Sequence, residues 1–148
     1  MSDTFLDLDY NDIDLGMEKS FSVTITEELV NKFCEISGDC SPLHMNEDFA
    51  KKSQFGSRIV HGMLLASFIS QMVGIHLPGQ NGLCISQETQ FLNPCFIGDT
   101  VQVSGKVIKK SDAGRILTLD LKISRDPDYL ILIGKINAVV LEKKTKKP

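Results

Sequence analysis

This chain has no Cys-x-x-Cys pair, no apolar run of membrane length and no strong excess of one charge. Its four cysteines, Cys34, Cys40, Cys84 and Cys95, are scattered. Even with His44, His61 and His76 included they form no zinc-ligand spacing, so no metal is expected. Without a disulfide framework they read as reduced thiols of a cytoplasmic protein. The N-terminus lacks a basic-then-apolar segment, which argues against secretion. The longest apolar stretch, Ile59 to Val73, is shorter than a membrane span and is broken by Ser67, Ser70 and Gln71. Net charge is −3, and cations do not interleave with aromatics. Neither nucleic acid nor a membrane is therefore an expected partner. There is no internal repeat and no low-complexity segment.

What remains is the balance of one globular domain: 148 residues, 42% hydrophobic and 24% charged. We expect a single domain over 1–148, with an acidic arm over 1–20 and a basic tail over 142–148. The arm, containing "DLDYNDIDLGME", reads as an entry arm or loose strand. The tail reads as a solvated end.

Between them the hydrophobic period changes twice. "FSVTIT" alternates as a half-buried strand. Thr26, followed by Glu27 and Glu28, starts a helix that carries Leu29, Val30, Phe33 and Ile36 on one face and ends near Gly38. Pro42 stops any continuation, and Asn46 caps a short helix in "NEDFAKKS". "IVHGMLLASFISQMVG" is apolar nearly all round, so it predicts a buried central helix. Ser67, Ser70, Gln71 and Gly74 form a small, polar stripe on it, suited to bordering a narrow pocket. After "LPGQNG" the period becomes two. "CISQETQF", "TVQVSGKVI", "RILTLDLKI" and "YLILIGKINAVVL" predict strands, with "KSDAG" and "RDPD" as hairpin turns. The order predicts an α+β fold with an antiparallel sheet against one buried helix.

Chemistry concentrates in "SGDCSPLHMNEDFA" and "HGMLLAS". An aspartate and a histidine five residues apart, in a proline-containing loop, can both turn inward. Unperturbed, the pair titrates near ~3.9 and ~6.5, so it offers an acid and a base around neutrality. Gly62 stands at the start of the central helix, where its amide is outside the helix ladder and can be approached closely. Such a donor stabilises an oxyanion, and losing one costs about 3 kcal/mol in barrier. Spacing alone leaves bland roles open. Asp39 can simply bond the Ser41 amide, His44 can cap the next helix, and Gly62 can serve packing. A base, an acid and a free amide suit hydration or dehydration of an acyl thioester, and equally its hydrolysis.

"SGDCSPLHMNEDFA", "RIVHGMLLAS" and "FLNPCFIGDTV" together resemble the (R)-specific enoyl-CoA hydratases of the MaoC-like dehydratase family, above all the short bacterial members that feed polyhydroxyalkanoate synthesis. The similarity runs from about Phe21 to Leu141. The resemblance implies a hotdog fold, a curved sheet around a long helix, in a homodimer whose sheets join edge to edge. It implies an acyl-CoA substrate and no cofactor. It implies Asp39 and His44 acting on one water, with Gly62 as oxyanion donor and His61 as a structural residue. It also implies Ser70 as a pocket wall, with Val73 limiting acyl length. The implied reaction is reversible hydration of a trans-2-enoyl-CoA to the (R)-3-hydroxyacyl-CoA. The alternatives are a 3-hydroxyacyl-thioester dehydratase, on CoA or acyl carrier protein, and a non-catalytic acyl-CoA-binding protein. One departure stands out: Ser41 precedes the loop proline where the family usually has asparagine.

Overall fold

A computed structural model describes residues 5–144. Five strands form one antiparallel sheet in the order β1-β3-β4-β5-β2. They are β1 (Glu18–Thr24), β2 (Gly82–Phe91), β3 (Thr100–Ser111), β4 (Ile116–Asp126) and β5 (Tyr129–Val140). The β3–β4 and β4–β5 pairs are hairpins, as their short turns require. β2 instead crosses over to pair with β5, Phe91 opposite Leu132 and Gly82 opposite Val140.

The two-residue period explains the buried sheet face. Leu117, Leu119, Leu121 and Ile123 of β4 are all at most 1% exposed. Val101, Val103 and Val107 of β3 join them. Gly105 interrupts that row, where a Cβ would come within 3.1 Å of the Met72 side chain. The sheet thus closes on the segment that follows α4 (Gly62–Gln71). From α4 come Leu64, Leu65, Ala66 and Ile69, and from the wider π turn Met72–His76 come Met72 and Val73. This is the hotdog arrangement.

Among the described residues three α-helices precede α4, after a short 3-10 turn at Tyr10–Asp12. In α1 (Glu27–Ser37), Thr26 accepts a hydrogen bond from Leu29 N at 3.2 Å, and Gly38 ends the helix at φ 76°. α2 (Pro42–Met45) is one turn, with proline at its first position, where no amide hydrogen is needed. Proline therefore starts a turn of helix here, where the sequence suggested only an interruption. α3 (Glu47–Lys51) is capped by Asn46, as expected.

Several expectations are corrected. Ile36 is 84% exposed, because the buried line of α1 runs through Val30 and Cys34, one turn apart. The central helix begins at Gly62 rather than Ile59, since Ile59 bridges to Phe96 and Val60 N bonds Cys95 O. The acidic arm is not loose. Tyr10 and Ile13 are buried, and Tyr10 Oη donates to Asp112 at 2.7 Å. In the basic tail, Lys143 pairs with Asp7 at 2.9 Å. Residues 1–4 of the arm and 145–148 of the tail lie outside the described residues. Cys34 and Cys40 are not thiols but a disulfide, their Cα atoms 5.0 Å apart, while Cys84 and Cys95 are free. The tight turn at Gly38 brings the two together, which sequence spacing did not reveal. No helix among the described residues is long and apolar enough to cross a membrane.

Candidate active site

Three elements meet at one end of α4. The α1–α2 loop carries Asp39, α2 carries His44, and His61 is the residue before Gly62 at the head of α4. One donor atom from each of Asp39, His44 and His61 lies within 4.8 Å of the others. Together with Gly62 they line a cavity of about 500 Å³ whose other walls include Phe55, Ile59, Phe91 and Ile131. The fold therefore brings together Asp39, His44 and Gly62.

The hydrogen bonds define the ring orientations. His44 Nδ1 meets Ile59 O at 2.8 Å, and His61 Nε2 meets Asp39 O at 2.7 Å. A carbonyl only accepts, so both nitrogens are protonated. In its neutral form each ring then carries its lone pair on the other nitrogen, His44 Nε2 and His61 Nδ1. The rings stack, with centroids 4.1 Å apart. His61 is 1% exposed, and its Nδ1 has no hydrogen-bond partner among the described residues. Burial pushes its pKa below the ordinary value, while the bond to the Asp39 carbonyl opposes the shift. His61 is therefore a neutral clamp between the head of α4 and the aspartate loop.

The Asp39 carboxylate accepts from Ser41 N at 3.2 Å, and the Asp39 amide donates to Ser37 Oγ at 3.1 Å. The bland expectation for Asp39 is thus met, and it coexists with the approach to His44. Helix capping by His44 is not met, because Asn46 accepts from Phe49 N. Gly62 opens α4, so the helix ladder does not use its amide. A Cβ on Gly62 would come within 2.8 Å of the Phe91 ring, so the glycine lets the aromatic wall sit against the helix start. Cys95 also faces the cavity, but burial pushes its thiol up to about 12. It is a neutral wall and not a nucleophile.

Ser70 and Val73 do not line this cavity. They line a second one of about 530 Å³, with Ser67, Gly74 and Gly82. Met63 is a wall of both. Two carboxyl–imidazole spacings that looked unlike a metal motif in sequence do assemble three ligand-type groups. Such a trio can grip a water or a divalent cation.

The sequence reading missed Arg58, which is only 9% exposed. Its Nε donates to His44 O at 2.5 Å and its Nη1 to Glu27 at 2.8 Å. It ties the histidine turn to α1. The one sequence hint is a lone cation directly before an apolar helix.

Known proteins resemble this chain in sequence and in fold. Residues 11–122 match the MaoC like domain. The (R)-specific enoyl-CoA hydratase of Rhodospirillum rubrum is 42% identical over 92 residues, covering 62% of this chain and 64% of that protein. The chain thus spans just under two thirds of that relative's length. The 3-hydroxybutyryl-CoA dehydratase of Methylorubrum extorquens is 34% identical over 139 residues, covering 94% of this chain and 88% of that protein. The solved (R)-hydratase from A. caviae involved in PHA biosynthesis superposes with a TM-score of 0.84 at 31% identity, covering 86% of this chain and 97% of that one. With residues 11–122 matching that domain and its curved sheet and central helix matching the solved hydratase, the chain belongs to the MaoC-like family.

Proposed function

We propose that this protein is an (R)-specific enoyl-CoA hydratase, adding water reversibly to trans-2-enoyl-CoA. The observation that carries the reading is the convergence of Asp39 and His44 in one cavity with the Gly62 amide. One water is held between the carboxyl group and His44 Nε2. His44 removes its proton as oxygen attacks C3, and Asp39, carrying a proton for this step, delivers it to C2; the proton left on His44 returns to Asp39 before the next turnover. The bond from His44 Nδ1 to Ile59 O supports that assignment, because it leaves the lone pair on Nε2. Gly62 N–H stabilises the enolate-like thioester oxygen. These steps need no metal or redox cofactor. The acyl chain runs past Met63 toward the second cavity, where Ser70 is a wall and Val73 limits length.

The protein acts as a homodimer joined at the exposed edge of β2. The reverse reaction, dehydration of a 3-hydroxyacyl thioester, uses the same groups. The dehydratase relative matching nearly the whole chain favours counting it as the physiological alternative.

A spectrophotometric assay with crotonyl-CoA and octenoyl-CoA, with product stereochemistry, tests the reading. Asp39→Asn and His44→Gln are each expected to lower kcat by at least ~100-fold. Near-normal turnover in both, or release of free thiol instead of loss of enoyl absorbance, rejects it.

A further inference from the structure

The disulfide lies beside the group on which the proposed reaction depends. Cys40 directly follows Asp39, and its partner Cys34 sits in the last turn of α1. Cys34 is 7% exposed and anchored in the packed face of the helix, whereas Cys40 is exposed. Between them the chain reverses at Gly38, which has φ 76° and bonds back to Cys34 O at 2.9 Å.

Other holds on Asp39 are few. Its carboxylate is exposed and accepts a 3.2 Å bond from the amide two residues on, inside the same loop. The Ser41 side chain makes no capping bond to α2. The Asp39 amide bonds to Ser37 Oγ, again a neighbour. Among these contacts, only the bond from His61 Nε2 to Asp39 O reaches another part of the fold. That bond and the disulfide therefore fix the residue from its two sides. His44 has independent holds, through Ile59 O and Arg58.

We propose that the Cys34–Cys40 disulfide is a positioning element for Asp39, and that its reduction slows turnover by releasing the carboxylate from His44. This inference rests on the hydratase reading above. Reduction requires a dithiol. One of its thiolates attacks Sγ of Cys40, the exposed residue of the pair, the S–S bond breaks, and Cys34 leaves as a thiolate. The second thiol of the reagent then closes on the first and releases Cys40. Two electrons and two protons pass from the dithiol, which becomes a disulfide, to the protein, which gains two thiols. His44 and the Gly62 amide stay in place, so the loss falls on the chemical step rather than on binding.

The test uses the full chain purified without reductant. In denaturant it is expected to show two free thiols, rising to four after dithiothreitol. Reduced wild type and Cys34→Ser/Cys40→Ser are both expected to hydrate crotonyl-CoA with kcat about tenfold below the oxidised protein, with KM changed less than about twofold. Reoxidation restores wild type, and the double variant does not respond to dithiol. Amide hydrogen exchange at residues 38–41 is expected to speed up on reduction while that of β4 does not. Equal kcat in the two redox forms, unchanged exchange at 38–41, or four thiols before reduction each overturns the proposal. An oxidised protein with no hydratase activity overturns the hydratase reading instead, and the exchange comparison still decides the tether.

Discussion

At the residue scale the site depends on groups that do not line the Asp39 cavity. Arg58 is the clearest. Its ion pair with Glu27 is half open to solvent, with the Glu27 side chain 65% exposed, and contributes little by itself. Its bond to the His44 carbonyl is different, because it fixes the backbone of the histidine and is sheltered. Lysine keeps the charge but loses the planar fork that serves His44, Glu27 and Asn31 together. Arg58→Lys is therefore expected to cost roughly 1–3 kcal/mol in urea denaturation. It should also lower kcat/KM by about tenfold. Wild-type stability and activity in this variant would show that the fork is dispensable. His61 gives a second prediction. Its folded pKa lies below the ordinary 6.5, so the unfolded chain binds the proton more readily. Its contribution to stability is complete above that ordinary value and is lost as pH falls below it. His76 shifts in the same direction, through burial and then Lys19. Melting temperature should therefore fall from pH 7 to pH 5. His61→Asn should flatten part of that slope, and an unchanged slope would contradict the assignment.

At the element scale, burial and pattern separate. β4 shows strict alternation and is buried as its pattern requires, so it was readable residue by residue. β2 contains apolar residues too, yet Leu83 and Ile85 are 52% and 51% exposed. The difference lies in sheet order, since β4 is central and β2 is an edge. A truncation experiment distinguishes them. Leu119→Ala is expected to destabilise by about 2–5 kcal/mol, because a packed core leaves a cavity. Leu83→Ala should change the unfolding free energy of the isolated chain by no more than about 0.5 kcal/mol. Similar losses in both would contradict the burial pattern. The same distinction explains what sequence told of the site. Asp39, His44 and Gly62 share short motifs and were visible. Arg58 was not, because its partners on α1 are 27 and 31 residues away. The disulfide was hidden because it depends on a left-handed turn at Gly38 that composition does not announce. Ile36 was misplaced by counting apolar residues instead of following the one-turn step from Val30 to Cys34.

At the scale of the whole molecule, the open edge of β2 asks for a partner. β2 is 10 residues long and, among the described residues, pairs only with β5, so its other side is an open edge beside exposed Leu83, Ile85 and Phe91. A long, partly apolar edge invites pairing with a second strand. An antiparallel match to the same strand of a second copy satisfies twofold symmetry, since each chain offers one surface to its twin. The other edge, β1, has 7 residues and alternates exposed with half-buried positions, which makes it the poorer candidate. Phe91 links this edge to the chemistry, because it also walls the Asp39 cavity and lies against Gly62. Association should therefore shape the mouth of that cavity as well as cover the edge. Ile85→Lys places a charge on the edge, far from the Asp39 cavity. Gel filtration with light scattering is expected to give a dimer for wild type and a shift toward monomer for this variant. Crotonyl-CoA KM should rise as the dimer is lost, with kcat at saturation less affected. A wild-type monomer with full activity would rule out the edge as the contact that completes the entrance.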